Sequence, residues 1–397
     1  MRPAVPSQHA STLPLPDADA QAQSDACAAM LRAAIDAAGG WIPFARFMEL
    51  ALYAPGLGYY AAGARKFGAD GDFVTAPEIS ALFGECLAVT AADVLRQTGG
   101  DILELGPGSG KLAHDILVTL DEMNSLPAHY LLLEVSADLR QRQQQTLATL
   151  PPALAERASW LDELPRDFVG IIIANEVLDV VPVHLMVWRT DRCLERGVAL
   201  EGGQFAWRDV PLVSAELVAA AAEIRRNYLG DAPPDGYLSE FSPAAAGLVS
   251  SLGQSLKRGA MLLIDYGFRG AEFYHRDRST GTLMCHYRHY AHPDPLRFPG
   301  LQDITAHVDF TQVADAGMAA GLTLAGYTTQ AQFLLASGLT ERLSRVDSSN
   351  TIQYLPLTNQ VQRLVSPAEM GEFFKVIGFE RGGIDLPAFN RARPLPL

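Results

Sequence analysis

Glu104, Glu134 and the pair Asn175-Glu176 each stand where an apolar run ends. They lie in 103-LELGPGSGKLAHDIL-117, 129-HYLLLEV-135 and 171-IIIANEVLDVVPVH-184. Carboxylates in such places accept hydrogen bonds from hydroxyls or hold a cation. Beside the first stand Gly106, Gly108 and Gly110, which open an amphipathic segment. A glycine loop entering a helix offers free backbone N–H groups to a ligand.

The spacing narrows the ligand. A phosphate-binding P-loop needs G-x-x-x-x-G-K-[ST]. With Gly110-Lys111 as its GK, the first glycine falls on Leu105 and the magnesium hydroxyl on Leu112, so the motif fails. The dinucleotide fingerprint G-x-G-x-x-G needs its third glycine at Lys111, but here it is Gly110. An acid at Glu104 would also repel a pyrophosphate. If the two strands are parallel neighbours, Glu134 can accept from both hydroxyls of a ribose and Glu104 can reach an ammonium. A ribose, an amino acid end and no phosphate describe S-adenosylmethionine. On this reading Glu104 and Glu134 are the expected cofactor contacts.

These residues need a parallel sheet to converge. Apolar runs predict strands at 101–105, 129–135, 169–174 and 260–266, and later at 322–328 and 373–380. Helical patterns fall at 26–38, 42–53, 81–97, 108–123, 136–148 and 243–257. Such alternation is the mark of an α/β sheet covered on both faces. The runs 184–190, 193–200 and 204–210, with a turn at Glu201-Gly202-Gly203, read as an inserted β-meander. It suits either a dimer arm or a substrate-recognition element. Residues 56–80 form a long glycine- and aromatic-rich stretch. Its Tyr59, Tyr60, Phe67 and Phe73 are expected to cover the cofactor or to form a second small core, and Thr75, Glu78 and Ser80 to reach inward.

The bulk composition sets bounds. Of 397 residues, 48% are hydrophobic, enough for a large core, and the net charge is −14. That charge opposes nonspecific nucleic-acid binding and suits a cationic substrate. No apolar run reaches the roughly 18–20 residues of a membrane span. Cys27, Cys86, Cys193 and Cys285 are scattered and read as reduced thiols. His286, His289, His292 and His307 lack the spacing of a metal site, so no metal is expected. Residues 1–25 read as a disordered tail without a signal or transit peptide, and a bacterial cytoplasmic protein is expected.

Taken together, 67-FGADGDFVTAPEISALFG-84, the glycine loop, 134-EVSADLRQRQ-143, 175-NEVLDVVPVH-184, 240-EFSPAA-245, 264-IDYG-267, 281-GTLMCHYRH-289 and 299-PGLQDITAHVDF-310 resemble one family. It comprises the S-adenosylmethionine-dependent methyltransferases that include the mitochondrial complex I assembly arginine methyltransferase and its bacterial relatives. The resemblance spans nearly the whole chain after the tail. It implies a Rossmann-like, seven-stranded class I methyltransferase sheet, with a helical region at 26–97 and a methyltransferase domain at 98–397. Insertions are expected at about 183–236 and 329–371. It also implies cofactor contacts at Glu104, Gly106, Pro107, Gly108, Gly110, Glu134 and Val135 and at the Asn175–Glu176 turn. The mitochondrial member dimethylates an arginine of a partner protein symmetrically, so a protein substrate is expected here.

Methylating a guanidinium requires carboxylates, because its lone pair is delocalised and its pKa exceeds about 12. The expected catalytic residues are Glu176, Asp179, Asp265 and Glu240, with Asp303 and Asp309 behind them. Asp309 is equally placed to cap the following helix. Two other functions stay open on the same residues: a methyltransferase for a small molecule or another side chain, and a non-catalytic, cofactor-binding assembly factor.

Overall fold

The computed structural model describes residues 13–61, 75–230 and 233–397. The chain enters through the helix Ala18–Ala37, then β1 (Trp41–Pro43) and the helix Phe44–Tyr53. The expected tail is thus corrected: residues 18–25 are the first turns of a helix. Asp17 caps it by accepting from Ala20 N at 2.9 Å, and buried Ser24 donates to Pro299 O at 3.1 Å. The run 18-ADAQAQSDA-26 is helix-forming but poorly apolar, which hid it from a reading based on periodicity. The expected helix over 42–53 likewise starts later. Pro43 holds the residue before it extended, so Trp41–Pro43 forms a strand against Gly197–Ala199. Phe67 and Phe73 lie outside the described residues.

After the helix Ala81–Thr98 come β2 (Asp101–Leu105), β3 (Tyr130–Leu133), β4 (Ala158–Leu161) and β5 (Phe168–Asn175). An antiparallel sheet follows: β6 (His184–Trp188), β7 (Cys193–Glu201), β8 (Gln204–Pro211) and β9 (Tyr237–Phe241). The long β10 (Leu256–Phe268) returns to the main sheet. Beyond it lie a small sheet of β11 (Met284–Tyr287), β12 (Tyr290–His292) and β13 (Asp303–Thr305), then β14 (Val308–Asp309), β15 (Thr323–Thr329) and β16 (Phe374–Arg381).

The main sheet runs β15-β16-β10-β5-β2-β3-β4, with β14 paired to β10. Its β10, β5, β2, β3 and β4 are mutually parallel, and β16 is antiparallel between β10 and β15. Ile171, Ile172 and Ile173 are fully buried because helices cover both faces of β5. β2 and β3 are neighbours in register Glu104 to Leu132, so Glu104 and Glu134 project from adjacent strand ends. Strand order reverses between β2 and β5, and that crevice is where ligands bind in such sheets. The strands β4, β9 and β11 to β13 were absent from the sequence reading; each is short and carries polar residues.

A separate apolar core joins the first helices to the crevice. Cys27, Leu31, Phe44 and Phe47 pack with Val180, Val183 and Leu185, and with Cys285 and Ile304 of the small sheet. Among the described residues no helix is long and apolar enough to cross a membrane.

Candidate active site

The carboxyl ends of β2, β3 and β5 open into one cavity of about 600 Å³. One end is a cradle lined by Glu104, the glycine loop and Glu134. Glu134, where β3 ends, is buried; its Oε1 accepts from Ser136 N at 2.7 Å and its Oε2 from Gln143 Nε2 at 3.0 Å. Gln143 also donates to Gly108 O at 3.0 Å and accepts from Trp160 Nε1 at 2.9 Å. The glycine loop and the Glu134 carboxylate are therefore held by one amide.

Glu104 is 2% exposed and accepts from Tyr130 Oη at 2.6 Å. Burial pushes its carboxyl up to about 7; the tyrosine bond works against that rise and the charge of Glu134 adds to it. Gly106 turns the chain at φ +57°, and a Cβ there would meet Val177 Cγ2 at 2.9 Å. Glu104, Gly106, Pro107, Gly108, Glu134, Val135 and Asn175 all line the cavity. Gly110 does not: a Cβ there would meet Gln143 Cα at 3.1 Å, so this glycine lets two segments touch behind the loop. Ser109 Oγ donates to Glu78 and anchors the loop to the segment Ala76–Ile79. A ligand with vicinal hydroxyls and an ammonium, as in S-adenosylmethionine, matches these acceptors.

The other end of the cavity is acidic and aromatic. Glu176 leaves β5 with φ +53°, an uncommon conformation for a side-chain-bearing residue. Its Oε1 accepts from Asn175 Nδ2 at 3.0 Å and from Ala76 N at 3.3 Å. Asp179 Oδ2 accepts from Tyr266 Oη at 2.7 Å, and Asp303 Oδ1 from Tyr60 Oη at 3.0 Å. Tyr53 stacks on Tyr60 at 5.6 Å and donates to Val180 O at 2.9 Å. Burial, reinforced by the charge of Asp179, pushes the Glu176 carboxyl up to about 8; burial pushes Asp179 up to about 6. Two acceptors in this region, Asn175 Oδ1 and Asp179 Oδ1, are buried without a partner among the described residues. A carboxyl raised as far as that of Glu176 stays protonated near neutral pH until a cation arrives.

Two expected catalytic residues stand elsewhere. Asp265 is fully buried, and its carboxylate accepts from Leu178 N at 2.9 Å, Asp179 N at 3.2 Å and Tyr266 N at 2.9 Å. It shapes the turn that carries Asp179 instead of facing the cavity. Burial, with the charges of Asp179 and Glu176, holds its carboxyl well above the ordinary range. Glu240 is spent on Thr282 N at 2.7 Å, Thr282 Oγ1 at 3.0 Å and Leu283 N at 3.3 Å, tying β9 to the small sheet. An acid at a strand end looks the same in sequence whether it meets a ligand or neighbouring N–H groups.

Asp309 caps the helix Phe310–Ala319 through Thr311 N at 3.0 Å. Ser80 caps Ala81–Thr98 and, unlike Thr75 and Glu78, does not line the cavity. His286 and His307 line the cavity; among the described residues no group of three metal-ligating side chains occurs. Sequence reasoning missed Tyr53, Tyr266 and Gln143. Tyr266 directly follows Asp265 within a quoted motif, but no pattern marked its hydroxyl as aimed at Asp179.

Comparison with known proteins places this geometry. Residues 86–328 match a family described as S-adenosyl-L-methionine-dependent methyltransferase. The mitochondrial protein arginine methyltransferase NDUFAF7 homolog of Drosophila melanogaster is 30% identical, over 92% of this chain and 88% of its own. The human NDUFAF7 is 29% identical, over 86% and 81%. A crystal structure of a Burkholderia thailandensis protein bound to S-adenosyl-homocysteine is 48% identical, with a TM-score of 0.91 over 96% of this chain and 98% of that one.

Proposed function

The chain belongs to the S-adenosylmethionine-dependent methyltransferase family and uses S-adenosylmethionine as its cofactor; on that premise we propose that it methylates arginine side chains of a partner protein. One observation carries the choice of arginine: the cavity end opposite the cradle presents Glu176, Asp179 and Asp303 with tyrosine, amide and backbone partners. A guanidinium is the protein side chain whose several N–H donors answer several carboxylates at once. The relatives named as protein arginine methyltransferases support the same reading.

The bound cofactor supplies an electrophilic methyl group on a positively charged sulfur. The chain supplies position and field. Glu134 would hold the ribose, and Glu104 the ammonium. Glu176 and Asp179 would orient the guanidinium and concentrate its positive charge on the nitrogens that do not react. Tyr53 and Tyr60 wall the acidic end and limit water there.

The test offers separate pools of arginine-centred and lysine-centred peptides with methyl-labelled S-adenosylmethionine, read by mass spectrometry. Label on arginine nitrogens is expected. Label confined to lysine, or on neither pool, would refute the proposal.

A further inference from the structure

We propose that Asp179 accepts the proton displaced when the acceptor nitrogen is methylated, and that Tyr266 is the positioning residue that aims it. This rests on the arginine reading above. Asp179 is 5% exposed and lines the cavity. Its backbone is fixed on both sides: its N–H donates to Asp265 at 3.2 Å, and its carbonyl accepts from Ala306 N at 2.9 Å. Tyr266 Oη occupies Oδ2 at 2.7 Å, while Oδ1 is buried without a partner among the described residues. Leaving such an acceptor empty is costly. A donor arriving with the substrate would remove that cost.

Glu176 is the obvious competitor. Its Oε1 already takes two N–H donors. Its carboxyl is also held high, by burial first and then by the charge of Asp179. The groups facing Asp179 agree. Glu176 on the same turn and Asp265 from β10 are both raised, by burial first and then by the charge of Asp179. Tyr53 from the helix Phe44–Tyr53 and Tyr60 beside Asp303 of β13 are neutral, their hydroxyls held well above the ordinary range. The Tyr266 bond favours the charged form of Asp179.

In the step, the N–CH3 bond forms as the S–CH3 bond breaks, and that electron pair stays on sulfur. The N–H pair stays on nitrogen, and the proton passes to Asp179 Oδ1, then to water on product release.

The test measures the pH profile of kcat/KM on the arginine-centred pool, with S-adenosylmethionine saturating at every pH, for wild type, Asp179→Asn and Tyr266→Phe. Wild type should fall about tenfold per pH unit below about 6. Asp179→Asn should lower kcat by about 10²–10⁴-fold and lose that limb, with cofactor affinity kept. Tyr266→Phe removes a bond to the charged form, so its limb should move to higher pH. An unchanged limb in both variants overturns the proposal.

A second readout needs no acceptor. In aspartate-labelled protein saturated with S-adenosyl-homocysteine, the 13C carboxyl signal absent from Asp179→Asn should titrate near 6 and move up in Tyr266→Phe. A midpoint at the ordinary value of about 3.9 overturns the proposal. Absence of arginine methylation beside a midpoint near 6 would instead fault only the substrate reading.

Discussion

Glu104 makes the cofactor cradle titratable. Burial raises its carboxyl to about 7 from an ordinary 4.5. That gap corresponds to roughly 3 kcal/mol, at 1.36 kcal/mol per unit. An ammonium is held only by the ionised form, so ligands carrying the amino acid end should bind about tenfold more weakly per pH unit below 7, about 100-fold at pH 5. Calorimetric titration from pH 5 to 8 checks this with two ligands. S-adenosyl-homocysteine and 5′-methylthioadenosine both lack the sulfonium charge, and only the first has the amino acid. The first should show the slope and the second none. The sign for folding is opposite. A carboxyl raised in the folded state stabilises the empty protein below its unfolded pKa and loses that contribution as pH rises through about 7. Glu104→Gln should therefore flatten both curves, leaving the empty protein more stable than wild type above pH 7. A slope shared by both ligands, or absent from both, would refute the assignment.

Other residues give independent checks. Glu134→Gln keeps the shape but loses the ionic acceptor, so S-adenosyl-homocysteine should bind about 100-fold more weakly by calorimetry. Asp265→Asn puts an NH2 against backbone N–H groups that its oxygens now satisfy. A loss of about 2–4 kcal/mol is expected in denaturant unfolding, with cofactor affinity changed far less than by Glu134→Gln. Gly106→Ala meets Val177 at a positive φ; about 1–2 kcal/mol of stability should go, and Val177→Ala in the same chain should restore part of it.

The cofactor half was readable because its signals are local. A glycine loop, an acid just before it and a second acid at the next strand end need only parallel pairing to converge. Gly110 shows the limit, since φ and close packing select glycine as strongly as a ligand does. The acceptor half depends on distant partners. Asp179 and Tyr266, Asp303 and Tyr60, and Glu176 and Ala76 N meet only through the third dimension. Asp265 and Glu240 look reactive in sequence for the same reason: the sequence shows the carboxylate but not the N–H groups that use it up.

The placement of β16 has a consequence for synthesis of the chain. It sits between β10 and β15, antiparallel to both, yet it is translated after each of them. Until Phe374–Arg381 emerges, β10 carries a bare edge rich in Leu, Ile and Met, a template for pairing with other chains. The first helix waits too, since Ser24 bonds to Pro299 across 275 residues. Contacts so far apart in sequence slow folding. A nascent chain halted before β16 should therefore aggregate, and ribosome-released fragments ending near residue 370 should pellet where the full chain stays in solution.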